Sequence, residues 1–103
     1  MNQGFVTSAW VEFRETLAGH IKALMRADAE RYSVEWYFLR YLRRLASAAL
    51  ATPHASDVNG AMRGLTRFYV DSLAAQHPEL AERFEDVLAA HRHALRAEQQ
   101  PAP

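Results

Sequence analysis

The sequence predicts an all-α fold, a compact antiparallel four-helix bundle, on three observations. Apolar residues recur at steps of three and four along four segments, no segment shows strand-like alternation, and none of the four prolines interrupts a periodic segment. Each helix has one apolar stripe to bury, and short turns make consecutive helices antiparallel neighbours. Up-down-up-down connectivity is therefore the most economical arrangement. We predict a single domain over residues 1–98 and a disordered tail over residues 99–103.

The first helix is predicted over residues 8–27. Its apolar stripe consists of Trp10, Phe13, Leu17, Ile21 and Leu24. The segment from Asp28 to Ser33 is rich in capping residues and has no apolar stripe, so we place the first turn there.

The second helix is predicted over residues 33–51. Its apolar stripe consists of Val34, Phe38, Leu42, Leu45 and Ala49. The segment from Thr52 to Asp57 ends this helix, because Pro53 disfavours helical geometry in the residue before it, and supplies a cap for the next one.

The third and fourth helices are predicted over residues 57–76 and 78–98. Pro78 separates them, because proline suits the first position of a helix and restricts the residue before it. Acidic residues in the first half of the fourth helix and arginines in its second half match the helix dipole. The two apolar stripes consist of Val58, Met62, Leu65, Tyr69 and Leu73, and of Leu80, Phe84, Val87, His91 and Leu95.

The composition excludes several classes of protein. Half of the residues are apolar and 23% are charged, with no cysteine and a formal net charge of zero. The lack of cysteine excludes a disulfide framework, a cysteine nucleophile and thiolate metal sites, and the neutral balance lacks the positive field of a nucleic-acid binder. No run reaches the roughly 18 apolar residues of a membrane span, and residues 1–10 do not resemble a secretion signal. We expect a cytoplasmic protein, and its bias toward arginine and alanine suits a GC-rich bacterial genome.

His91 interrupts the apolar stripe of the fourth helix, so we expect it to be buried. One interpretation is a neutral core histidine that donates a hydrogen bond to a backbone or hydroxyl partner. The other is a small-ligand or haem-binding sensor, since imidazole is a common metal ligand. In the predicted bundle Gly64 and Phe68 of the third helix share the layer of His91. A ligand site would therefore lie among these three residues.

No pattern in the chain predicts a metal, a cofactor or a catalytic site. A bundle metal site pairs glutamates with a Glu-x-x-His step, which this chain lacks. His20 falls more than a turn from the His91 layer, so a two-histidine haem clamp would need a shift in register. A nucleophile elbow and a glycine-rich phosphate loop are also missing. We predict that the protein is not an enzyme and leave open acid–base chemistry by His91 with Tyr41 or Tyr69.

Trp36 falls on the polar side of the second helix, opposite Phe38 in the apolar stripe. One interpretation is a local cation–π pair with Arg40, one helical turn away. The other is a contact surface, since large aromatic residues beside arginine are typical of interface centres. The predicted partner-binding residues are Trp36, Tyr37, Arg40 and Arg43.

Three hypotheses about function follow from these features. The first is a small cytoplasmic interaction or adaptor module that acts by self-association, or by binding a protein partner, through the second helix and without catalysis. The second is the sensor built around His91. The third is weak nucleic-acid binding through Arg40, Arg43, Arg63 and Arg67, against which stand the acidic residues from Glu79 to Asp86 and the lack of an aromatic stacking platform.

Overall fold

Four α-helices joined by short turns make up residues 6–99, the part of the chain that this computed structural model describes. They form an all-α four-helix bundle, as predicted. The helices are α1 (Ser8–Arg26), α2 (Val34–Leu50), α3 (Asn59–Phe68) and α4 (Pro78–Gln99). A 3-10 turn at Ala55–Val58 precedes α3, and a π-helical turn at Tyr69–Leu73 follows it.

Consecutive helices run antiparallel, so the connectivity is up-down-up-down. Phe13 near the start of α1 packs against His91 near the end of α4, with ring centroids 5.7 Å apart. Tyr41 of α2 stacks on Phe68 at the end of α3, at 4.8 Å. Helix α1 lies between α2 and α4, while α3 packs against α2 and the two irregular turns pack against α4.

The first two helices begin and end within one residue of the predicted bounds, because three of the four predicted terminal residues are caps. Ser33 accepts a hydrogen bond from the Trp36 N–H at 3.2 Å and is the N-cap of α2. Ala27 and Ala51 are the C-caps of α1 and α2. A capping residue belongs only partly to the helix, so the pattern of side chains alone does not show whether the helix includes it.

The third helix departs most from its predicted span of residues 57–76. Its α-helical part is only ten residues long, and from Tyr69 the chain turns more widely. The Ala74 N–H donates to the Tyr69 carbonyl at 3.0 Å, a hydrogen bond between residues five apart, as a π turn requires. This turn packs against α4. The Tyr69 ring stacks on the Phe84 ring, with centroids 4.3 Å apart, and Leu73 is fully buried. Packing against α4 therefore accompanies the change from an α to a π turn.

The fourth helix continues one residue past its predicted end. Gln99, the first residue of the predicted tail, is the last residue of α4, and residues 100–103 of that tail lie outside the described part of the chain. The final turn is held from outside the helix, because the Glu98 carboxylate accepts the N–H of Ala55.

The core follows the predicted stripes closely. The largest fully buried side chains are Trp10, Phe13, Phe38, Phe84, Leu17, Leu42, Leu45, Leu65, Leu73, Val58 and Val87. Complete burial of each large apolar side chain stabilises the fold by about 1.5–3 kcal/mol. Within residues 6–99, no helix has the length and apolar character needed to cross a membrane.

Arg14 secures the end of α2 from the neighbouring helix. Its guanidinium donates to the Ala49 carbonyl, at 3.2 Å from Nε and 2.9 Å from Nη2, and to the Thr52 carbonyl at 2.8 Å from Nη2. The Trp10 indole N–H donates to the same Thr52 carbonyl at 3.0 Å. These bonds satisfy carbonyls that a helix end leaves without internal partners.

Candidate interaction surface

Three aromatic side chains cluster at the start of α2, on the side away from the core. The Tyr32 and Tyr37 rings meet the Trp36 ring edge-on, with centroids 5.1 and 5.0 Å away. The Arg40 guanidinium lies over the Trp36 ring at 4.8 Å from its centroid. We call these four residues the aromatic surface.

Much of this surface faces solvent. Tyr32 is 63% exposed and Tyr37 is 42% exposed, while Trp36 is half-buried beside them. The local cation–π pair predicted for Trp36 is therefore present, and apolar ring edges remain in contact with water beside it. Arg43 lies one turn beyond Arg40 and is exposed, on the same side of α2.

Tyr32 adopts a backbone conformation that tyrosine rarely takes. Its φ angle is 69°, in the left-handed region, and Asp28 at the other end of the same turn has a φ of 51°. Asp tolerates this region, whereas a bulky side chain there costs roughly 1–2 kcal/mol. The ring of Tyr32 is mostly exposed, so its burial does not repay that cost. Tyr32 packs on Trp36 and stays outside the core, and backbone strain at such a residue points to a functional role.

The sequence alone did not reveal Tyr32, because it stands in a turn outside every periodic stripe. The available signal was a large aromatic residue among capping residues, next to Arg31, whose guanidinium lies 5.1 Å from the Tyr32 ring centroid. A third such pair joins Arg44 to Tyr41 at 5.8 Å. Arginine and aromatic side chains thus pair at three places in α2 and the turn before it.

A cleft of about 960 Å³ opens beside this surface, between the second half of α1 and the first half of α4. Its base contains small and apolar side chains, among them Leu24 and Leu80. Five carboxylates line it, and a single arginine, Arg83, accompanies them. We call this the acidic cleft, and its carboxylates belong to Glu35, Glu79, Glu82, Glu85 and Asp86.

His20 lies in the acidic cleft between two residues of α4. Its Nδ1 is 3.0 Å from Nη1 of Arg83, and its Nε2 is 2.7 Å from Oδ2 of Asp86. A guanidinium only donates, so Nδ1 accepts and the Nε2 hydrogen is donated to Asp86. His20 therefore pairs with the start of α4, and the register does not bring it to His91 as a haem clamp would need.

Tyr69 lies near the same cleft and donates from its hydroxyl to Oε2 of Glu85 at 3.0 Å. This hydrogen bond, with smaller contributions from desolvation and from the Glu85 charge, raises the pKa of Tyr69 above its ordinary value. Tyr41 stacks on Phe68. Both tyrosines that we considered as partners of His91 in acid–base chemistry are thus engaged elsewhere.

His91 is buried, as predicted, with 4% of its surface exposed. Its Nε2 donates to the Ala55 carbonyl at 3.0 Å, in the turn between α2 and α3. The N–H of Ala55 is accepted by Glu98, so α4 satisfies both polar groups of a fully buried residue. Within residues 6–99, every buried side-chain nitrogen and oxygen has a hydrogen-bond partner. This is the geometry of a structural histidine.

The structure does not bring Gly64 and Phe68 to His91. A Cβ atom added at Gly64 would meet Cε1 of Tyr41 at 4.0 Å, and Phe68 packs against Tyr41 and Phe38. The predicted layer assumed that α3 faces His91, whereas the Ala55 turn occupies that position. The depression that Gly64 lines includes neither His91 nor Phe68, and a ligand site shared by the three residues stays a prediction.

Arg63 and Arg67 line a shallow depression with Gly64, and no residue of α2 lines it. Among residues 6–99, no cluster of three or more histidine, aspartate or glutamate side chains is arranged to hold a metal ion.

No protein-family model, curated protein or solved structure showed a significant match to the chain.

Proposed function

We propose that the protein is a small helical interaction module, without catalysis of its own, that acts through the aromatic surface of α2 by self-association or by binding a protein partner. The observation that supports this most is the exposed Tyr32–Trp36–Tyr37 cluster under Arg40, held in part by a strained backbone. Tryptophan, tyrosine and arginine are the residues that dominate binding energy at interface centres.

The cluster is suited to binding because its side chains are already ordered. Tyr37 and Tyr32 pack on Trp36, so little rotamer freedom is lost when a partner covers them. Covering an exposed aromatic ring contributes at about 25 cal/mol per Å² of apolar area removed from water. The core is complete without these rings, since the fully buried side chains of α2 lie on its opposite side.

A second candidate function is weak binding of single-stranded nucleic acid at the same surface. Exposed tyrosine rings beside Arg31 and Arg40 provide the aromatic platform that the sequence did not predict. The acidic cleft beside it repels phosphates, which favours a protein partner. Retention on polynucleotides at about 50 mM salt that falls steeply as salt is added supports this candidate, and no retention at that salt removes it.

Site-specific photo-crosslinking tests the proposed function. A benzophenone amino acid replaces Tyr37 in one variant and Val11 in the control, since the two positions are 42% and 43% exposed on different helices. The proposal predicts protein adducts from position 37 and none from position 11, after irradiation of cells that naturally produce the protein. Equal yields at both positions, or no protein adduct at position 37, would contradict it.

A further inference from the structure

We infer that the partner of the aromatic surface is a second copy of this chain, whose acidic cleft receives it. The same contact is made in return, so that a two-fold axis relates the copies. This inference rests on the proposed function, because it takes α2 to be the interaction surface and names what covers it.

The first argument is charge. The aromatic surface is flanked by exposed Arg31, Arg43 and Arg44, and Arg40 belongs to it. Among residues 6–99 the only contact between a basic and an acidic side chain at salt-bridge distance joins His20 and Asp86, so neither these arginines nor the other carboxylates of the acidic cleft form a salt bridge within the chain. The net charge of the chain is nevertheless zero. The acidic cleft of each copy thus carries the counter-charges for the arginines around the aromatic surface of the other copy.

The second argument is the character of the acidic cleft. Its walls are acidic, while Ala23, Leu24 and Leu80 contribute apolar area at its base. An aromatic ring that carries a guanidinium on one side matches such a site, because the ring covers the apolar base and the guanidinium meets carboxylates.

The third argument is position. Glu35 lines the acidic cleft, and Trp36 is the next residue in the chain. Both surfaces therefore lie at the same end of the bundle, where α1 ends and where α2 and α4 begin. A two-fold axis at this end of the bundle lets both contacts form at once and closes the assembly as a dimer.

The test uses two full-length charge-reversal variants. The surface variant carries Arg40→Glu with Arg43→Glu, so that its aromatic surface is acidic like its cleft. The cleft variant carries Glu79→Arg with Glu82→Arg, so that its cleft is basic like its aromatic surface. The proposal predicts that each dimerises at least about tenfold more weakly than wild type in sedimentation velocity, because like charges then face each other. Mixed in equal amounts, the two variants form a heterodimer of wild-type affinity, because both contacts are complementary again.

Controls separate loss of the interface from loss of the fold. Glu12→Arg with Glu15→Arg reverses the same number of charges on the first half of α1, and dimerisation is expected to stay at the wild-type level. Circular dichroism and urea unfolding establish that each variant is folded. Recovery of the dimer on mixing is itself a control, since a misfolded chain does not recover.

The failures are distinguishable. One outcome is that the cleft variant dimerises like wild type while the surface variant does not. That result overturns the role of the acidic cleft and leaves the proposed function standing. A wild-type chain that is monomeric at all concentrations overturns the dimer, as does a crosslink from position 37 that joins only a different protein. The proposed function itself fails when position 37 gives no protein adduct.

Discussion

His91 and Glu98 together hold one residue, Ala55, of the turn between α2 and α3. The imidazole donates to the Ala55 carbonyl and the carboxylate accepts the Ala55 N–H, so a buried backbone segment has both of its polar groups satisfied by α4. Phe13 packs against the imidazole from α1. A histidine in the middle of an apolar stripe therefore serves to dock a turn.

Replacing His91 measures this role. In His91→Phe the ring is kept and the donor is lost, which leaves the Ala55 carbonyl buried without a partner at a cost of about 1–3 kcal/mol in the free energy of unfolding. His91→Gln keeps an N–H donor and is expected to lose less. Urea unfolding of the two variants and wild type decides this. Equal stability of His91→Phe and wild type would mean that the hydrogen bond contributes nothing.

Tyr32 has a positive φ angle, and this backbone conformation destabilises the fold. In Tyr32→Asn the new residue tolerates positive φ, so we expect the free energy of unfolding to stay unchanged or rise by about 1 kcal/mol. Dimerisation is expected to weaken, because an exposed ring of the aromatic surface is lost. Urea unfolding and sedimentation measure the two effects. A large loss of stability with unchanged assembly would show that the ring serves the fold.

At the scale of elements, α2 is held at its end by another helix. Arg14 of α1 donates three hydrogen bonds to the carbonyls of Ala49 and Thr52. The α2 end therefore depends on α1 as much as on its own sequence.

Arg14→Ala is expected to lower the free energy of unfolding by about 1–3 kcal/mol, since it removes charged donors from partly buried carbonyls. The exposed Arg26→Ala, on the same helix, is the matched control and is expected to change stability by less than about 0.5 kcal/mol. Thermal and urea unfolding report both. Equal effects at the two positions would contradict the docking role of Arg14.

The elements also show what the sequence can predict. The stripes of α1, α2 and α4 were predicted correctly, because a 3.6-residue period records which side of a helix is buried. The π turn at Tyr69–Leu73 was missed, because it depends on packing against α4. The partner of His91 was missed as well, because Ala55 is 36 residues away in the chain. The position of Trp36 on the polar side of α2 was predicted. The acidic cleft and the backbone conformation of Tyr32 were missed, because they arise only when helices and turns are placed in space.

At the scale of the whole molecule, charge is separated although its sum is zero. Arginines gather along the outer side of α2, and carboxylates gather around the acidic cleft. Such a distribution favours association between copies through complementary fields and weakens when salt screens them.

The proposed dimer should therefore dissociate as salt increases. Raising the ionic strength from about 50 mM to about 500 mM shortens the screening length well below the size of either surface, so the dimer Kd should rise several-fold. Sedimentation velocity at matched protein concentrations measures the change. Affinity that strengthens with salt would indicate an interface dominated by apolar contact instead of charge.

The most direct test of the central claim is sedimentation velocity over a concentration series, for wild type beside Trp36→Ala with Tyr37→Ala. Val11→Ala with Val70→Ala, exposed apolar residues outside α2, is the matched control. The account predicts that wild type and the control approach the mass of a dimer as concentration rises, while the α2 variant remains a folded monomer. The same mass at every concentration for wild type and the α2 variant would contradict self-association through the aromatic surface.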